Sequence, residues 1–276
     1  MNSNTFGKFY VCAAPVGNLG DITLRALEVL KQADYIACED TRVTKVLLDK
    51  YNISAKLLSC HKFNEKEASS KIIELIKNGY TAVYLSDAGT PLISDPGGIL
   101  IKELQKNGIK ITALPGACAV SILLSMLPRD NEEYAFIGFI PREKKQQIDI
   151  LNKYKAVNCV FYESPLRLLK TLENIKSEYG AETKISIGRE LTKLHEEVIT
   201  GAAAEIIEYY SRHVLKGEIT AVIYAHAENS LEENTMQEKI KLLKQAGYSA
   251  KDAAKILQLL YGWNKNKVYQ AALSGQ

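Results

Sequence analysis

The sequence predicts an α/β protein made of two α/β domains and a small C-terminal helical domain. Three observations predict this architecture. From Phe9 to Gly116, short β-rich runs alternate with helical patterns. A second alternation follows an apolar helix and a charged segment, and three helical patterns come after a final acidic stretch. Alternating strands and helices are typical of a mostly parallel sheet with helices packed on it.

The first domain contains five predicted strands and four predicted helices. The strands are "FYVCAAPV", "DYIACEDT", "AKLLSCH", "TAVYLSDAG" and "KITALPG", and the helices are "TLRALEVLKQA", "TRVTKVLLDKY", "NEKEASSKIIELIKNG" and "GGILIKELQKNG". Asn64 followed by Glu67 predicts a capping box at the start of the third helix. Gly79 and Gly108 fall where glycine commonly ends a helix.

The second domain begins after the apolar helix "ACAVSILLSML", and we place the boundary near Leu127. Its predicted elements are an apolar strand within "PRDNEEYAFIGFIPREKKQQ", then "AVNCVFYES", "PLRLLKTLENIKSEYG", "TKISIGREL", "AAAEIIEYYSRH" and "ITAVIYAHA". We expect a sheet that mixes parallel and antiparallel strands. The predicted domains are therefore residues 1–127 and 128–226.

A polar, acidic linker is predicted at residues 227–235 and a helical domain at 236–276. The three helical patterns are "MQEKIKLLKQAG", "SAKDAAKILQLLYG" and "NKNKVYQAALS". Ser249 with Asp252 forms a capping-box pattern, and Trp263 is expected in the core. This arrangement resembles a helix-turn-helix module, which leaves two functions open, a docking tail or an RNA contact.

Composition restricts the class of protein. Of 276 residues, 46% are apolar and 24% charged, as in globular domains, and the net charge of +3 is too small to indicate a nucleic-acid binder by itself. The first ten residues lack a signal-peptide pattern, so we expect a cytoplasmic protein. Five cysteines without a CxxC pair are expected to be reduced core residues, and four scattered histidines do not suggest a metal site.

Two glycine-rich segments follow predicted strands, and neither matches a common nucleotide motif. The pattern GxxxxGK[ST] of phosphate-binding loops and the pattern GxGxxG of dinucleotide folds are both missing from the sequence. Instead, "APVGNLGD" follows the first strand and "SDAGTPLISDPGG", residues 86–98, follows the fourth. Turn-forming residues of this kind let the main chain approach a ligand closely, so we expect a binding site at these loops.

Several blocks in order resemble the tetrapyrrole-methylase-like class of S-adenosylmethionine-dependent methyltransferases. They are "VCAAPVGNLGDITLRALEVLKQADYIACEDTR", "SDAGTPLISDPG", "LPGACAVSILLSMLP", "FYESPLRL", "GRELTKLHEE" and "KGE". The resemblance implies an enzyme, usually a homodimer, that binds S-adenosylmethionine in a cleft between two α/β domains. It is strongest to the branch that methylates the ribose 2′-hydroxyl of a cytidine in small-subunit ribosomal RNA.

The first loop separates the two branches of this class. Tetrapyrrole enzymes usually carry a loop of the form GAGPGDP, where this chain has "APVGN", and the difference favours the RNA branch. The alternative is a methyltransferase that acts on a tetrapyrrole or another small molecule. A third hypothesis is a helix-turn-helix regulator whose large domain senses a ligand, and a cofactor-consumption assay would separate it from both enzymes.

The candidate cofactor residues lie in loops at the carboxyl ends of strands, where parallel sheets bind their ligands. Main-chain groups of Gly89, Thr90 and Ala117 are placed to bond the cofactor. Asp87 and Asp95 either contact the ligand or fix turns. The predicted set, which includes positions supported by the resemblance, is Pro15, Gly17, Asn18, Asp87, Ala88, Gly89, Thr90, Ser94, Pro115, Gly116, Ala117, Tyr162, Glu163, Ser164, Arg189 and Glu190.

Methyl transfer to a hydroxyl is accelerated by a base that removes the proton. Four residues are candidates: His61, Glu163, Glu190 and Lys216. Each has a structural alternative, since a single histidine is often structural and Glu163 could cap a helix. Arg189 and Glu190 could simply form an ion pair with each other.

An RNA substrate requires cationic residues around the cleft, although lysine-rich faces are usually only solvated. The candidates in the α/β domains are Arg42, Lys45, Arg142, Lys144, Lys145, Lys193 and Lys216. In the C-terminal domain, Lys265 and Lys267 lie early in the last predicted helix, where a helix-turn-helix module would present its contacting face.

Overall fold

The chain folds into two compact units. In this computed structural model, the structure describes residues 6–128, 133–213, 215–225 and 228–274, without the side chains of residues 228–235, 267 and 274. The first unit contains two sheets and their helices up to Tyr224, and the second contains three C-terminal helices. No helix among the described residues is long and apolar enough to cross a membrane.

The first sheet is entirely parallel, as the alternation predicts. Its strands lie in the order β3-β2-β4-β1-β5. Their bounds are β1 Phe9–Cys12, β2 Tyr35–Cys38, β3 Lys56–Ser59, β4 Ala82–Leu85 and β5 Ile111–Leu114. The central strand β4 is buried along its whole length, which requires helices on both faces of the sheet.

Helices cover both faces of this sheet. Their bounds are α1 Leu24–Gln32, α2 Thr41–Lys50, α3 Glu65–Lys77 and α4 Gly98–Lys106. Val83 and Leu85 of β4 pack with α1 and α2, whereas Ala82 and Tyr84 pack with α3 and α4. The strand therefore alternates its side chains between two cores.

The strand order places a topological switch point between β1 and β4. The connection from β1 leads through α1 to β2 on one side, and the connection from β4 leads through α4 to β5 on the other. Open α/β sheets bind ligands outside the carboxyl ends of their strands at such a point. Here the loops that follow β1 and β4 are joined by a bond from the Ala14 amide to the Gly89 carbonyl (2.9 Å).

The second sheet is mixed, with strands in the order β6-β7-β10-β8-β9. Only β6 and β7 pair in parallel. The strands are β6 Tyr134–Phe139, β7 Asn158–Glu163, β8 Lys184–Arg189, β9 Glu197–Ala202 and β10 Ile219–Ile223, and the helices are α6 Lys144–Lys153, α7 Pro165–Tyr179 and α8 Ala203–Ser211. The predicted boundary at Leu127 falls between the two sheets.

A short apolar helix, α5 (Ala119–Ser125), joins the two lobes. It follows β5 of the first sheet, and its side chains Val120, Leu123 and Leu124 form one core with Val160 and Val222 of the second sheet. Burial of this apolar surface holds the second lobe against the carboxyl edge of the first sheet.

The C-terminal unit consists of α9 (Glu228–Gln245), α10 (Ala250–Tyr261) and α11 (Lys265–Ser274). The predicted linker at 227–235 is wrong from Glu228 on, because this segment is the first part of α9. The segment lacks glycine and proline, and its glutamates favour the positive end of a helix dipole. Trp263 is only partly buried and stacks on Tyr261 (ring centroids 4.8 Å apart).

Local signals vary in accuracy. The Ser249 hydroxyl accepts from the Asp252 amide (3.1 Å), which caps α10 as predicted, but the Asp252 carboxylate accepts from the Ser249 hydroxyl (2.5 Å) and not from its amide, so one of the two bonds of a capping box is present. The capping box at Asn64 is wrong, because the Asn64 side chain accepts from the His61 amide instead (2.8 Å). Helix α6 and strand β9 were not predicted, because they are polar or half-buried and carry a weak apolar pattern.

All five cysteines are free, and four of them are buried. Burial raises the pKa of Cys12, Cys60 and Cys159 to about 12. These thiols therefore remain protonated and behave as small apolar residues.

Candidate active site

A cleft with a cavity volume of about 250 Å³ lies at the switch point, between the two lobes of the first unit. Seven of the predicted cofactor residues line it: Ala88, Gly89, Thr90, Ser94, Tyr162, Glu163 and Ser164. The other lining residues are Val16, Ile93, Asp95, Cys118, Ala119, Phe139, Pro165, Leu191, Gly217, Glu218, Ile219 and Thr220. Among the described residues, the lining contains three carboxylates and no basic side chain, so no fixed positive charge in it would repel a cationic ligand.

The loop from Ser86 to Gly97 forms one wall of the cleft. Backbone conformation and close packing explain why glycine occupies positions 89 and 97 of this loop. Gly89 has φ +71° in a region that favours glycine, and its carbonyl accepts from the Ser86 hydroxyl and the Ala14 amide. Gly97 has φ +124°, and a Cβ there would lie 2.7 Å from Cε1 of Tyr84. The Thr90 hydroxyl donates to the Ala117 carbonyl (2.9 Å), which ties this loop to the turn after β5.

The same loop contains two non-glycine residues with left-handed backbone. Leu92 has φ +68° and Ser94 has φ +71°. Such conformations cost on the order of 1–3 kcal/mol each and are concentrated at functional sites. The packing that maintains them includes Leu92 against the core around Tyr84.

Asp87 does not line the cleft, and it fixes a neighbouring loop. Its carboxylate accepts from the amide of Asp40 (3.1 Å), the residue that caps α2. Partial burial raises the pKa of Asp87, and this hydrogen bond opposes the shift. The sequence left two roles open for Asp87, ligand contact or fixing a turn, and the structure shows the second.

Phe139 enters the cleft because of a bulge in β6. The pairing of β6 with β7 shifts register between Phe136 and Phe139, and Gly138 within the bulge has φ +70°. Bulges next to active sites redirect side chains. Phe139 is 59% exposed at the cleft, and its ring meets the edge of Tyr162 at a centroid distance of 5.5 Å.

Glu163 is a fully buried carboxylate with three donors. It accepts from the Ser164 amide (2.6 Å) and the Thr171 hydroxyl (2.6 Å), and its Oε2 lies 3.2 Å from the guanidinium of Arg167. Arg167 also donates to the carbonyls of Ile140 and Pro141 (2.9 and 3.0 Å). Glu163 therefore connects β7 and α7 to the end of β6, and its hydrogen-bonding capacity is largely used.

Arg189 and Glu190 do not pair with each other, so the structural alternative considered for them is not the one found. Arg189 pairs with Glu197 on the adjacent strand β9 (3.2 Å), whereas Glu190 pairs with Lys193 (2.8 Å) and accepts from the Glu218 amide (3.0 Å). The hydrogen bond from Lys193 lowers the pKa of Glu190. Neither Arg189 nor Glu190 lines the cleft.

The two remaining catalytic candidates lie outside the cleft lining. The Nδ1 atom of His61 accepts from the Phe63 amide (3.2 Å), so this histidine stabilises the turn before α3. Lys216 is exposed next to the cleft residues Gly217 and Glu218. Of the four predicted catalytic residues, only Glu163 lines the cleft, and its carboxylate is already hydrogen-bonded.

Several predicted loop residues support the lining without joining it. They are Pro15, Gly17, Asn18, Pro115, Gly116 and Ala117. The Asn18 side chain accepts from the Gly20 amide (2.9 Å) and caps a 3-10 helix over Leu19–Asp21. A Cβ on Gly116 would lie 2.5 Å from Cβ of Ala13, so glycine is needed for the close approach of the two loops.

Most predicted RNA-binding residues are exposed, and some are already paired. Arg42 pairs with Asp40 (2.6 Å), and this contact lowers the pKa of Asp40 to about 2. Lys193 bridges Glu190 and Glu218 (2.8 and 2.9 Å), so it is less available to a phosphate. The residues Lys45, Arg142, Lys144, Lys145 and Lys265 are exposed, and the side chain of Lys267 lies outside the described residues.

The family model for Tetrapyrrole (Corrin/Porphyrin) Methylases matches residues 8–207, and the chain belongs to this family of methyltransferases. It is 39% identical to a Mesorhizobium japonicum protein named Ribosomal RNA small subunit methyltransferase I, over 96% of this chain and 90% of that protein. An Escherichia coli O157:H7 protein of the same name is 35% identical over 99% of this chain and 97% of its own length.

Solved structures confirm the fold. A cobalt precorrin-4 methyltransferase superposes with a TM-score of 0.63 at 17% identity, over 82% of this chain and 97% of that chain. A Thermus thermophilus uroporphyrin-III C-methyltransferase complexed with S-adenyl homocysteine superposes with a TM-score of 0.57 at 18% identity, over 78% of this chain and 97% of that chain. The two-lobed α/β architecture is therefore that of tetrapyrrole methylases.

Proposed function

We propose that the chain is an S-adenosylmethionine-dependent methyltransferase that modifies small-subunit ribosomal RNA at the ribose 2′-hydroxyl of a cytidine. The similarity to relatives with that rRNA name over nearly the whole chain carries this proposal. Mass mapping of small-subunit rRNA from cells with and without the protein tests it. Loss of one ribose methyl group on deletion is the expected result, and identical rRNA would contradict it.

The cleft lining fits the methyl donor. When bound, S-adenosylmethionine supplies an electrophilic methyl group on a positively charged sulfur. The described lining contains no Lys, Arg or His side chain that would repel this charge, and the apolar residues Val16 and Leu191 can contact the uncharged parts of the donor. The main chain of Ala88, Gly89 and Thr90 forms part of the lining and can hydrogen-bond the donor's polar edges, as in other ligand sites at strand ends.

The acceptor nucleotide is proposed to enter beside Phe139. Proteins that act on single nucleotides in RNA commonly stack the unpaired base on an aromatic ring. Phe139 presents such a ring at the cleft, and the exposed cations Arg142 and Lys145 follow it directly in the chain.

Phe139→Ala should weaken binding of small-subunit rRNA about fivefold to a hundredfold, because base stacking contributes about 1–3 kcal/mol. Phe139→Trp should restore most of the affinity. Filter binding measures the effect, with Tyr134→Ala as a control, since Tyr134 is a 50% exposed aromatic at the other end of β6. Weakened binding of S-adenosylhomocysteine with unchanged RNA affinity would assign this ring to the cofactor instead.

The C-terminal helices are proposed to add phosphate contacts. Residues 236–274 contain seven lysines and two acidic residues, a strong local excess of positive charge. Lys265→Ala should lower rRNA affinity and reduce the slope of log affinity against log salt by about 1, because one fewer counterion is released. Lys31→Ala, at the opposite end of α1 from the cleft, serves as the control. An unchanged slope for Lys265→Ala would assign α11 a structural role.

We also infer a cytoplasmic homodimer, since the substrate belongs to the ribosome and the resemblance implies a dimer. Light scattering should return about twice the chain mass of 30.7 kDa. A monomer that methylates rRNA would contradict the dimer alone.

A further inference from the structure

We propose that Asp95 is the general base that accepts the proton of the substrate hydroxyl during methyl transfer. The inference rests on the proposed function, because it requires that the methyl group is transferred to a hydroxyl that loses its proton. It gives a catalytic role to a residue whose sequence context indicates only a ligand contact or a turn former.

The geometry distinguishes Asp95 from the other carboxylates of the cleft. Glu163 is buried and accepts from Ser164, Thr171 and Arg167. Glu218 is paired with Lys193 (2.9 Å). Within the part of the chain that the structure describes, the Asp95 carboxylate has no hydrogen bond and no ion pair, and it lines the cleft. It is therefore the carboxylate free to accept a proton from a bound molecule.

The backbone around Asp95 is held in an unfavourable conformation. Leu92 and Ser94, neither of which is a glycine, have left-handed φ angles of +68° and +71°. Across the cleft, a Cβ on Gly138 would lie 3.0 Å from the Ser94 hydroxyl oxygen, so the loop is pressed against the β6 bulge. The fold maintains this strain at the position that aims Asp95 into the cleft, next to the wall formed by Phe139 and Tyr162.

The surroundings of Asp95 suit it to proton transfer near neutral pH. Partial burial, with the negative charges of Glu39, Asp87 and Glu218, raises its pKa to about 6. The other titratable groups that face it are the hydroxyls of Tyr84 and Tyr162. A carboxylate with this pKa is a stronger base than an ordinary aspartate and remains largely ionised at pH 7.

The chemical step balances with this single base. As the hydroxyl proton moves to Asp95, the hydroxyl oxygen forms a bond to the methyl carbon and the bond from that carbon to the donor sulfur breaks. The donor leaves as a neutral thioether, and Asp95 then releases the proton to water. The donor loses its positive charge at the same step in which Asp95 loses its negative charge by accepting the proton. The net charge of the cleft and its ligands is therefore unchanged.

The test compares Asp95→Asn with the wild-type chain on small-subunit rRNA. The variant should lose about 10²- to 10⁴-fold in turnover, the usual contribution of a general base. Its affinities for S-adenosylmethionine and S-adenosylhomocysteine, measured by calorimetry, should remain equal to those of the wild type and thereby show a folded cleft. Glu74→Gln removes an exposed carboxylate on α3 and should leave turnover unchanged.

The pH profile gives a second readout. Wild-type turnover should rise tenfold per pH unit below about 6 and level off above it, because only the ionised form of Asp95 accepts a proton. Asp95→Asn should lack this acidic limb, and Asp95→Glu should keep it at a lower rate.

Three outcomes would overturn the inference. Wild-type turnover in Asp95→Asn would exclude a base at this position. A selective loss of S-adenosylmethionine affinity relative to S-adenosylhomocysteine, which lacks the positive charge, would make Asp95 a binding group for the donor. A wild-type chain that methylates no rRNA would instead overturn the proposed function together with this base.

Discussion

Replacing Glu163 with alanine is expected to destabilise the first unit by about 3–5 kcal/mol, the usual cost of breaking a buried ion pair from one side. The substitution leaves three donors without their acceptor: the Ser164 amide, the Thr171 hydroxyl and the Arg167 guanidinium. Because the side chain of Glu163 is 0% exposed, water cannot replace the lost oxygens without rearrangement. Urea denaturation followed by circular dichroism measures the loss.

The chain offers two controls for this experiment. Glu173→Ala removes an exposed ion pair with Lys176 on the same helix (3.7 Å) and should change stability by less than about 1 kcal/mol. The single tryptophan, Trp263, lies in the C-terminal unit, so its fluorescence reports a different unit from the one under test. A loss for Glu163→Ala no larger than that for Glu173→Ala would show that the buried network adds little stability.

The sequence predicted the first sheet and one wall of the cleft because local patterns determine both. The uninterrupted apolar run of β4 indicates a strand covered on both faces, and the glycines at positions 89 and 97 occupy the left-handed conformations that require them. The loops after β1, β4 and β5 had to meet, since the carboxyl ends of parallel strands share one edge.

The remaining parts of the site depend on contacts between distant residues. Asp87 bonds the amide of Asp40, 47 positions away, and Arg189 selects Glu197 because β9 pairs with β8. The opposite wall comes from the β6 bulge, the end of β7 and the start of β10. The resemblance indicated Tyr162, Glu163 and Ser164 at the end of β7, whereas a glycine in an apolar strand was the sequence signal for the bulge. The distance between two residues along the sequence does not indicate which of these side chains are in contact in the fold.

Gly89→Val is expected to abolish binding of S-adenosylhomocysteine, with an affinity loss of at least about a hundredfold if one wall of the site closes. A Cβ at this position would already be in contact with the Ala117 carbonyl and the Val16 side chain, both at 3.6 Å. The two methyl groups of valine would therefore either extend into the cleft toward the second lobe or push the neighbouring loops apart. In addition, φ +71° is strained for a β-branched residue.

Backbone strain alone could weaken the protein, and Gly108 offers a matched control for it. Gly108 has φ +69°, almost the value of Gly89, and a Cβ there meets no atom within 4 Å. It lies just after α4, at the edge of the sheet opposite the cleft. Gly108→Val should therefore show a similar loss of thermal stability, and calorimetry should show unchanged affinity for S-adenosylhomocysteine. Wild-type affinity in a folded Gly89→Val chain would remove the Gly89 loop from the cofactor site. An equal loss of affinity in both variants would attribute the effect to strain in the fold.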